Sequence, residues 1–323
     1  MRRRCLAALL LALAVAARAD VLASGAHCVA PAKPGGGFDL TCQLLASVLE
    51  ASGQTATRLP VVYQPGGIGA LAFRRSVTQR PADGRALVAF SSGSLLNLAQ
   101  GRFGPYTERD VRWLAAVGMD YGVIAVHRDA PYRSLSELLA ALRAGPGQIV
   151  FGAGGSIGSQ DWMKAALLAR AAGVSHKSVR FVAFEGGGEA LTALAGRHVQ
   201  VLAGDAAEVA RHLEQSAPVR VLAVLSPERL RGTLAGVPTA VEQGVDLRWP
   251  ILRGVYVAAG VPERDVQEWR EILARAGAHP ALARELLRAG LQPAWAMGPA
   301  LEAQIAQQML YYRQLATEFG LLR

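Results

Sequence analysis

The sequence predicts an α/β fold in which sheets of parallel strands are covered by helices. Three observations carry that reading. Short β-branched runs alternate with Ala- and Leu-rich stretches along the chain, the order that builds parallel sheets with helical crossovers. Most of these runs are apolar throughout, as strands buried on both faces are. Turns rich in glycine and serine follow the runs and open the helical stretches.

In chain order the expected strands are Val61–Tyr63, Ala86–Phe90, Val123–Val126, Ile149–Phe151, Val179–Phe184, Val199–Leu202, Val219–Val224 and Val255–Val257. The intervening segments read as helices. Leu40, Leu44, Leu45, Val48 and Leu49 fall on one face at helical spacing. Ser134-Leu135-Ser136-Glu137 has the form of a capping box, in which the first side chain and the fourth satisfy free amides of the opening turn. Gly173 and Gly196 follow alanine-rich segments as helix stops. Pro262, Pro280 and Pro299 mark helix starts in the C-terminal region.

A chain of 323 residues has room for about two domains. No long linker divides it, so the expected organisation is discontinuous. Residues 20–122 and 253–323 would form one lobe and residues 123–252 the other. Apolar residues make up 51% of the chain, enough to build buried cores and too many for a disordered polymer.

Residues 1–19 read as a secretory signal. Arg2, Arg3 and Arg4 precede an apolar run from Cys5 to Ala17 that is too short to span a bilayer, and Ala17-Arg18-Ala19 has the form of a cleavage site, so the mature chain would begin at Asp20. Removing Arg2, Arg3, Arg4 and Arg18 takes the formal charge from +9 to +5. The remaining excess suits an anionic ligand. The basic residues are scattered without interleaved aromatics, which argues against nucleic acid as a partner. Export also places Cys28 and Cys42, the mature chain's two cysteines, in an oxidising compartment, where pairing is expected. Two buried free thiols are the alternative.

The chemistry concentrates in five turns: Pro34-Gly35-Gly36-Gly37-Phe38-Asp39, Pro65–Gly69, Ser91-Ser92-Gly93-Ser94, Gly152–Ser159 and Glu185–Gly188. Ligands of α/β sheets bind beyond the carboxyl ends of the strands. Glycine admits close approach to the backbone, and free amides at a helix start attract anions. For any one turn, ordinary loop chemistry explains the glycines equally well. None of the five carries a third glycine at nucleotide-fingerprint spacing or a Gly-Lys-Ser/Thr, so nucleotide loops are excluded. The six histidines show no ligand spacing, and no metal is expected. Gly154-Gly155-Ser156-Ile157-Gly158 does match the hydrolase elbow G-x-S-x-G, with Asp205 and His212, or Asp265 and His279, in acid-then-histidine order. Trp162, just inside the helix after that turn, is a candidate wall residue.

At these residues the chain resembles the substrate-binding receptors of the tripartite tricarboxylate transporters. The matching segments are Ala30–Cys42, Pro65–Ala70, Arg80–Gly84, Ser91–Gln100, Gly152–Trp162, Glu185–Glu189, Val237-Pro238-Thr239 and Glu242-Gln243-Gly244. Many members of that family carry threonine where Phe38 stands. The Phe-Asp-Leu-Thr-Cys form and the SSGSLLNLAQ segment are similar to the subgroup that binds tricarboxylates. The resemblance implies a type II periplasmic-binding fold whose two lobes close on one carboxylate. It implies ligand contacts from Gly37, Phe38 and Asp39 in the first turn and from Ser156, Gly158, Ser159 and Gln160 in the fourth. The local pattern adds Ser91, Ser92, Gly187, Asp205 and Arg253. Arg253, between the apolar segments 249–252 and 255–257, is the first candidate to balance ligand charge, and Lys33 the second; an internal ion pair is the alternative for Arg253. The expected function is that of a monomeric periplasmic receptor, without cofactor or catalytic residue, that hands a tricarboxylate such as citrate to the membrane components of the transporter. An exported carboxylate sensor, or a hydrolase using Ser156, is the alternative.

Overall fold

A computed structural model describes residues 25–322; the expected signal segment and its cleavage site lie outside these residues. Within them ten strands form one continuous mixed sheet. In chain order the first elements are β1 (His27–Ala30), α1 (Gly37–Ala51), β2 (Val61–Tyr63), α2 (Ala70–Thr78), β3 (Ala86–Ser91), α3 (Ser92–Ala99) and β4 (Val111–His127). Then come α4 (Leu135–Ala144), β5 (Val150–Gly154), α5 (Gln160–Ala171), β6 (Arg180–Phe184), α6 (Gly187–Ala195), β7 (Val201–Asp205), α7 (Ala206–Glu214) and β8 (Val219–Val224). The chain ends with β9 (Pro250–Ala258), α8 (Glu263–Ala278), α9 (Ala281–Arg288), β10 (Ala296–Met297) and α10 (Gly298–Glu318).

The sheet order is β2-β1-β3-β9-β4-β7-β5-β6, with β8 and β10 also paired to β4. β1, β2 and β3 are parallel, as are β7, β5 and β6. The centre corrects the expectation of parallel strands throughout, because β9 runs antiparallel to both β3 and β4, and β4 antiparallel to β7 and β8. Strand β4 joins the two parallel groups. Its residues 111–121 pair with β9, and its residues 122–127 with β7 and β8. Only Val123–Val126 of this 17-residue strand stood out in the sequence.

The helices form where the pattern places them. Leu44, Leu45, Val48 and Leu49 of α1 are buried in a core with Trp269 of α8. Each such leucine or valine is worth about 1.5–3 kcal/mol on transfer from water. A second core joins α3, α5 and α10, and a third lies under α6 and α7. Ser134 Oγ accepts from the Glu137 amide, while the Glu137 carboxylate reaches the Arg133 amide, one residue earlier than in a regular capping box. Gly173 ends α5 in the left-handed region with φ +73°. After α6 that conformation falls on Arg197, φ 62°, and not on Gly196. The C-terminal helices return to the first strands: Trp269 Nε1 donates to the Gly84 carbonyl, and Ser92 Oγ donates to Gln308 of α10. Phe319, just past α10, packs edge-on against Trp162 and His176 of the other half. Trp162 is therefore a core residue and not a cleft wall.

Candidate ligand-binding cleft

Between the two halves of the sheet lies a cavity of about 730 Å³, lined from both sides by the glycine turns. Its first wall is built at the start of α1. Gly35 adopts φ +94°, and its amide donates to Asp39 Oδ2 at 2.8 Å. Asp39 Oδ1 accepts from the Tyr63 hydroxyl at 2.9 Å and from Gln43 at 3.2 Å. Asp39 thus braces the turn from within and does not line the cavity; Gly37 and Phe38 do.

The opposite wall comes from the fourth and fifth turns. Gly155 and Gly158 take the left-handed region, with φ +90° and +87°. Ser159 caps α5 by accepting from the Trp162 amide, and Ser156 Oγ accepts from Arg102 at 3.0 Å. The Gly158 carbonyl accepts from Gln100, and the residue packs against Gln100 and Arg102 away from the lining. Gly187 at the start of α6 lines the cavity. A methyl group on Gly154 would stand 2.6 Å from the Gly187 nitrogen and 2.8 Å from the Gly186 carbonyl carbon, so these two turns meet backbone to backbone. Gly154→Ala is expected to cost about 1–3 kcal/mol through overpacking, whereas Gly186→Ala, with open space around it, should change stability by less than about 0.5 kcal/mol. Urea denaturation of both variants checks this; equal stability of the two would show that the turns do not meet.

The third turn divides its serines. Ser91 lines the cavity and caps α3 through a reciprocal bond with Ser94. Ser92 lies behind it, accepting from the Leu252 amide and donating to Gln308. Of the residues singled out from the sequence, Gly37, Phe38, Ser91, Ser156, Ser159, Gln160, Gly187, Asp205 and Arg253 therefore meet in one cavity. Asp39, Ser92 and Gly158 face away from it.

The floor is charged. Arg253 is 1% exposed and binds Asp120 through Nε and Nη2 and Asp205 Oδ2 through Nη2 at 2.9 Å. Burial opposes its charge, and Asp120 and Asp205 together more than offset that, holding its pKa above the ordinary value. Its Nη1, bonded to neither carboxylate, lies directly beneath Gly37 at the cavity wall. Lys164 is buried between Asp161 and Asp205, at 2.8 and 2.7 Å. Burial pushes the Asp161 carboxyl up to about 6, against the pull of Lys164. For Asp205 the burial cost is outweighed by Lys164 and Arg253, which hold it below the ordinary range. Gln160 donates to both oxygens of Asp205, and its own buried carbonyl oxygen has no partner among the described residues. Lys33 stands at the rim, paired with Glu185 and Glu189 of the opposite wall, so its ammonium is already spent.

The sequence reading missed Ile68, Arg102 and Glu208, all of which line the cavity. Ile68 holds a left-handed conformation, φ 53°, that is unfavourable for a β-branched residue, and reaches across to Gly155. The hydrolase arrangement is not assembled: among the described residues no histidine or carboxylate bonds Ser156, Asp205 is engaged by Lys164, Arg253 and Gln160, and Asp265 by Arg264. Among the described residues no three or more His, Cys, Asp or Glu side chains are placed to hold a metal ion, and none of their helices is long and apolar enough to cross a membrane.

Comparison with known proteins places this geometry in context. The family model for the tripartite tricarboxylate transporter family receptor matches residues 61–321. A UPF0065 protein from the tcbD–tcbE intergenic region of Pseudomonas sp. strain P51 is 26% identical over 99% of this chain and 95% of its own length. The crystal structure of a TctC solute-binding protein from Polaromonas is 27% identical, with a TM-score of 0.64 over 91% of this chain and 98% of that one. MatC of Rhodopseudomonas palustris, solved with bound malate, is 19% identical and shares the fold with a TM-score of 0.75 over 90% of this chain and 97% of its own.

Proposed function

The chain belongs to the tripartite tricarboxylate transporter family of periplasmic receptors, and from that membership we propose that its cavity binds a small organic carboxylate, most specifically a tricarboxylate such as citrate. The observation that carries this reading is the meeting of three helix starts, those of α1, α5 and α6, from opposite walls of one cavity. A carboxylate leaving water must exchange its hydration for other donors. Backbone amides at helix starts are fixed donors at the positive end of a dipole. Arg253 Nη1 adds a charged donor beside the first of them. The finer assignment rests on the Phe38–Cys42 and Ser91–Gln100 segments.

In this reading Gly37, Phe38, Ser156, Ser159, Gln160, Gly187 and Arg253 receive the ligand. The lobes 20–122 with 253–323, and 123–252, close on it about β4 and β9. The mature chain, cleaved after Ala19, works as a monomer and delivers the unchanged ligand to the membrane components of the transporter. Calorimetric titration of the mature protein with citrate, malate and acetate tests this. Citrate should bind saturably and at least about tenfold, or 1.4 kcal/mol, tighter than malate. Preference for malate or acetate would overturn the tricarboxylate assignment, and no binding of any of them would overturn the carboxylate receptor itself.

A further inference from the structure

Glu208, on the first turn of α7, is 5% exposed and lines the cavity. Its carboxyl group forms no hydrogen bond or ion pair among the described residues; only its backbone carbonyl is engaged, by His212 Nδ1. One carboxyl oxygen would lie 2.2 Å from a methyl group placed on Gly187, and the other 3.8 Å from one placed on Gly36. The side chain therefore projects between the helix starts of both walls, where the ligand is expected.

Every neighbouring charge bears on what such a group can be. Asp205 precedes α7, Asp161 lies on α5 and Asp120 on β4; against them stand Lys164 on α5, held by Asp161 and Asp205, and Arg253 on β9, held by Asp120 and Asp205. On α7 itself Arg211 donates to the Gly35 carbonyl, and His212 lines the cavity one turn on. Lys33, Glu185 and Glu189 neutralise one another in part at the rim. Arg102 is bonded to Ser156 and the Ile157 carbonyl. Among the described residues no cation bonds Glu208; Arg253 attracts it only through space, which lowers its pKa without offsetting burial and Asp205. An ionised Glu208 would add an unpaired buried negative charge to a wall that already holds three aspartates, at a point where an anion must enter.

Building on the carboxylate reading, we propose that Glu208 binds ligand in its protonated form, donating the hydrogen bond that its surroundings leave unmade to a ligand carboxylate oxygen. The carboxyl proton is the one donor available to this side chain, and the ligand supplies the acceptor that the described residues do not. Burial, followed by the charge of Asp205, pushes the free carboxyl up to about 8, so the donor form prevails at neutral pH and is lost above it. The opposite arrangement, an ionised Glu208 facing a ligand ammonium, is the competing use of an unpaired carboxyl and makes the opposite pH dependence.

The sign follows from linkage. Ligand selects the protonated form, so affinity is level below the carboxyl's free pKa and falls about tenfold per pH unit above it, with uptake of up to one proton. Citrate and malate serve as probes from roughly pH 7 to roughly pH 10, where their own carboxylates are ionised. Calorimetry in two buffers of different ionisation enthalpy counts the protons on the unmodified protein. Glu208→Gln, which keeps a donor but cannot ionise, should lose the slope and the proton uptake. His212→Gln should retain both. Level affinity across the range in the parent, a slope that survives in Glu208→Gln, or tighter binding of aspartate than of malate would each overturn the proposal while leaving a carboxylate receptor in place. Failure of citrate, malate and aspartate to bind at any pH would overturn both.

Discussion

Arg253→Met is expected to destabilise the protein by about 3–5 kcal/mol, the range for removing one partner from a buried ion pair. Arg253 and Asp120 are each 1% exposed. Arg253 sits on β9 opposite Ser91 of β3 and Gly118 of β4, and its guanidinium reaches Asp120 on β4 and Asp205 at the end of β7. It therefore ties together the strands that run from one half of the sheet to the other. Methionine fills similar volume but leaves Asp120 without a cation, while Asp205 keeps Lys164. The loss should be asymmetric in a way that packing alone does not produce. Adding Asp120→Asn to Arg253→Met removes the stranded charge and should recover part of the stability, whereas Asp120→Asn in the parent should be harmful. Guanidinium denaturation of the three variants measures this. A loss below about 1 kcal/mol for Arg253→Met, in the range of an exposed pair, would show that the network does not hold the crossing. The same side chain also faces the cleft: its Nη1, bonded to neither carboxylate, lies under Gly37, so the internal pair leaves one edge of the guanidinium for the second role proposed above, a ligand contact.

That double role also shows how far the sequence could be read. The lone arginine inside the apolar stretch 249–257 identified Arg253 as a charge requiring compensation, and compensation is what the fold supplies. The same reasoning would have found Asp120, the lone charge within residues 113–126, and Lys164 between Met163 and Ala165. The glycine turns were legible because few residues tolerate the left-handed conformations of Gly35, Gly155 and Gly158. Which way the polar side chains in those turns point was not legible. Asp39, Ser92 and Gly158 share the turns with cavity residues but bond backward into the scaffold. Strand direction was hidden for a related reason. Central antiparallel strands covered on both faces read as the same continuous apolar runs as parallel ones, so β9 looked like its neighbours. Strand β1, His27–Ala30, holds a single β-branched residue, Val29, and so lacked the β-branched run that marked the still shorter Val61–Tyr63. Glu208 carries the weakest signal, an acid three residues past a strand end on a helix with an ordinary amphipathic pattern; only its burial without a partner distinguishes it.

Reduction of the Cys28–Cys42 disulfide should cost about 3 kcal/mol. The two cysteines are paired, with Cα atoms 5.6 Å apart and a sequence separation of 14. In the chain-entropy model a closed loop of about 15 residues restricts the unfolded chain by about that amount. The position of the bond gives the figure functional content. Cys28 lies in β1 between β2 and β3, and Cys42 on the buried face of α1. The segment closed between them is the first turn, with Gly35, Gly37 and Phe38 at the cavity wall. Asp39 and Tyr63 brace the far side of the turn by hydrogen bonds, each worth about 1.5–3 kcal/mol for a carboxylate acceptor, so the covalent link adds a restraint of similar size. Both sulfur atoms are in side chains with no exposed surface, so mild reductant should act slowly on the folded protein and rapidly once it opens. Denatured, unreduced protein should therefore show no titratable thiol from Cys28 and Cys42, and the urea midpoint should fall when the bond is reduced or when both cysteines are replaced by alanine. Substituting both residues also removes small buried side chains, so reduction of the parent is the cleaner measurement. Two free thiols in the unreduced protein, or an unchanged midpoint after reduction, would remove the disulfide from the forces that fix the first turn.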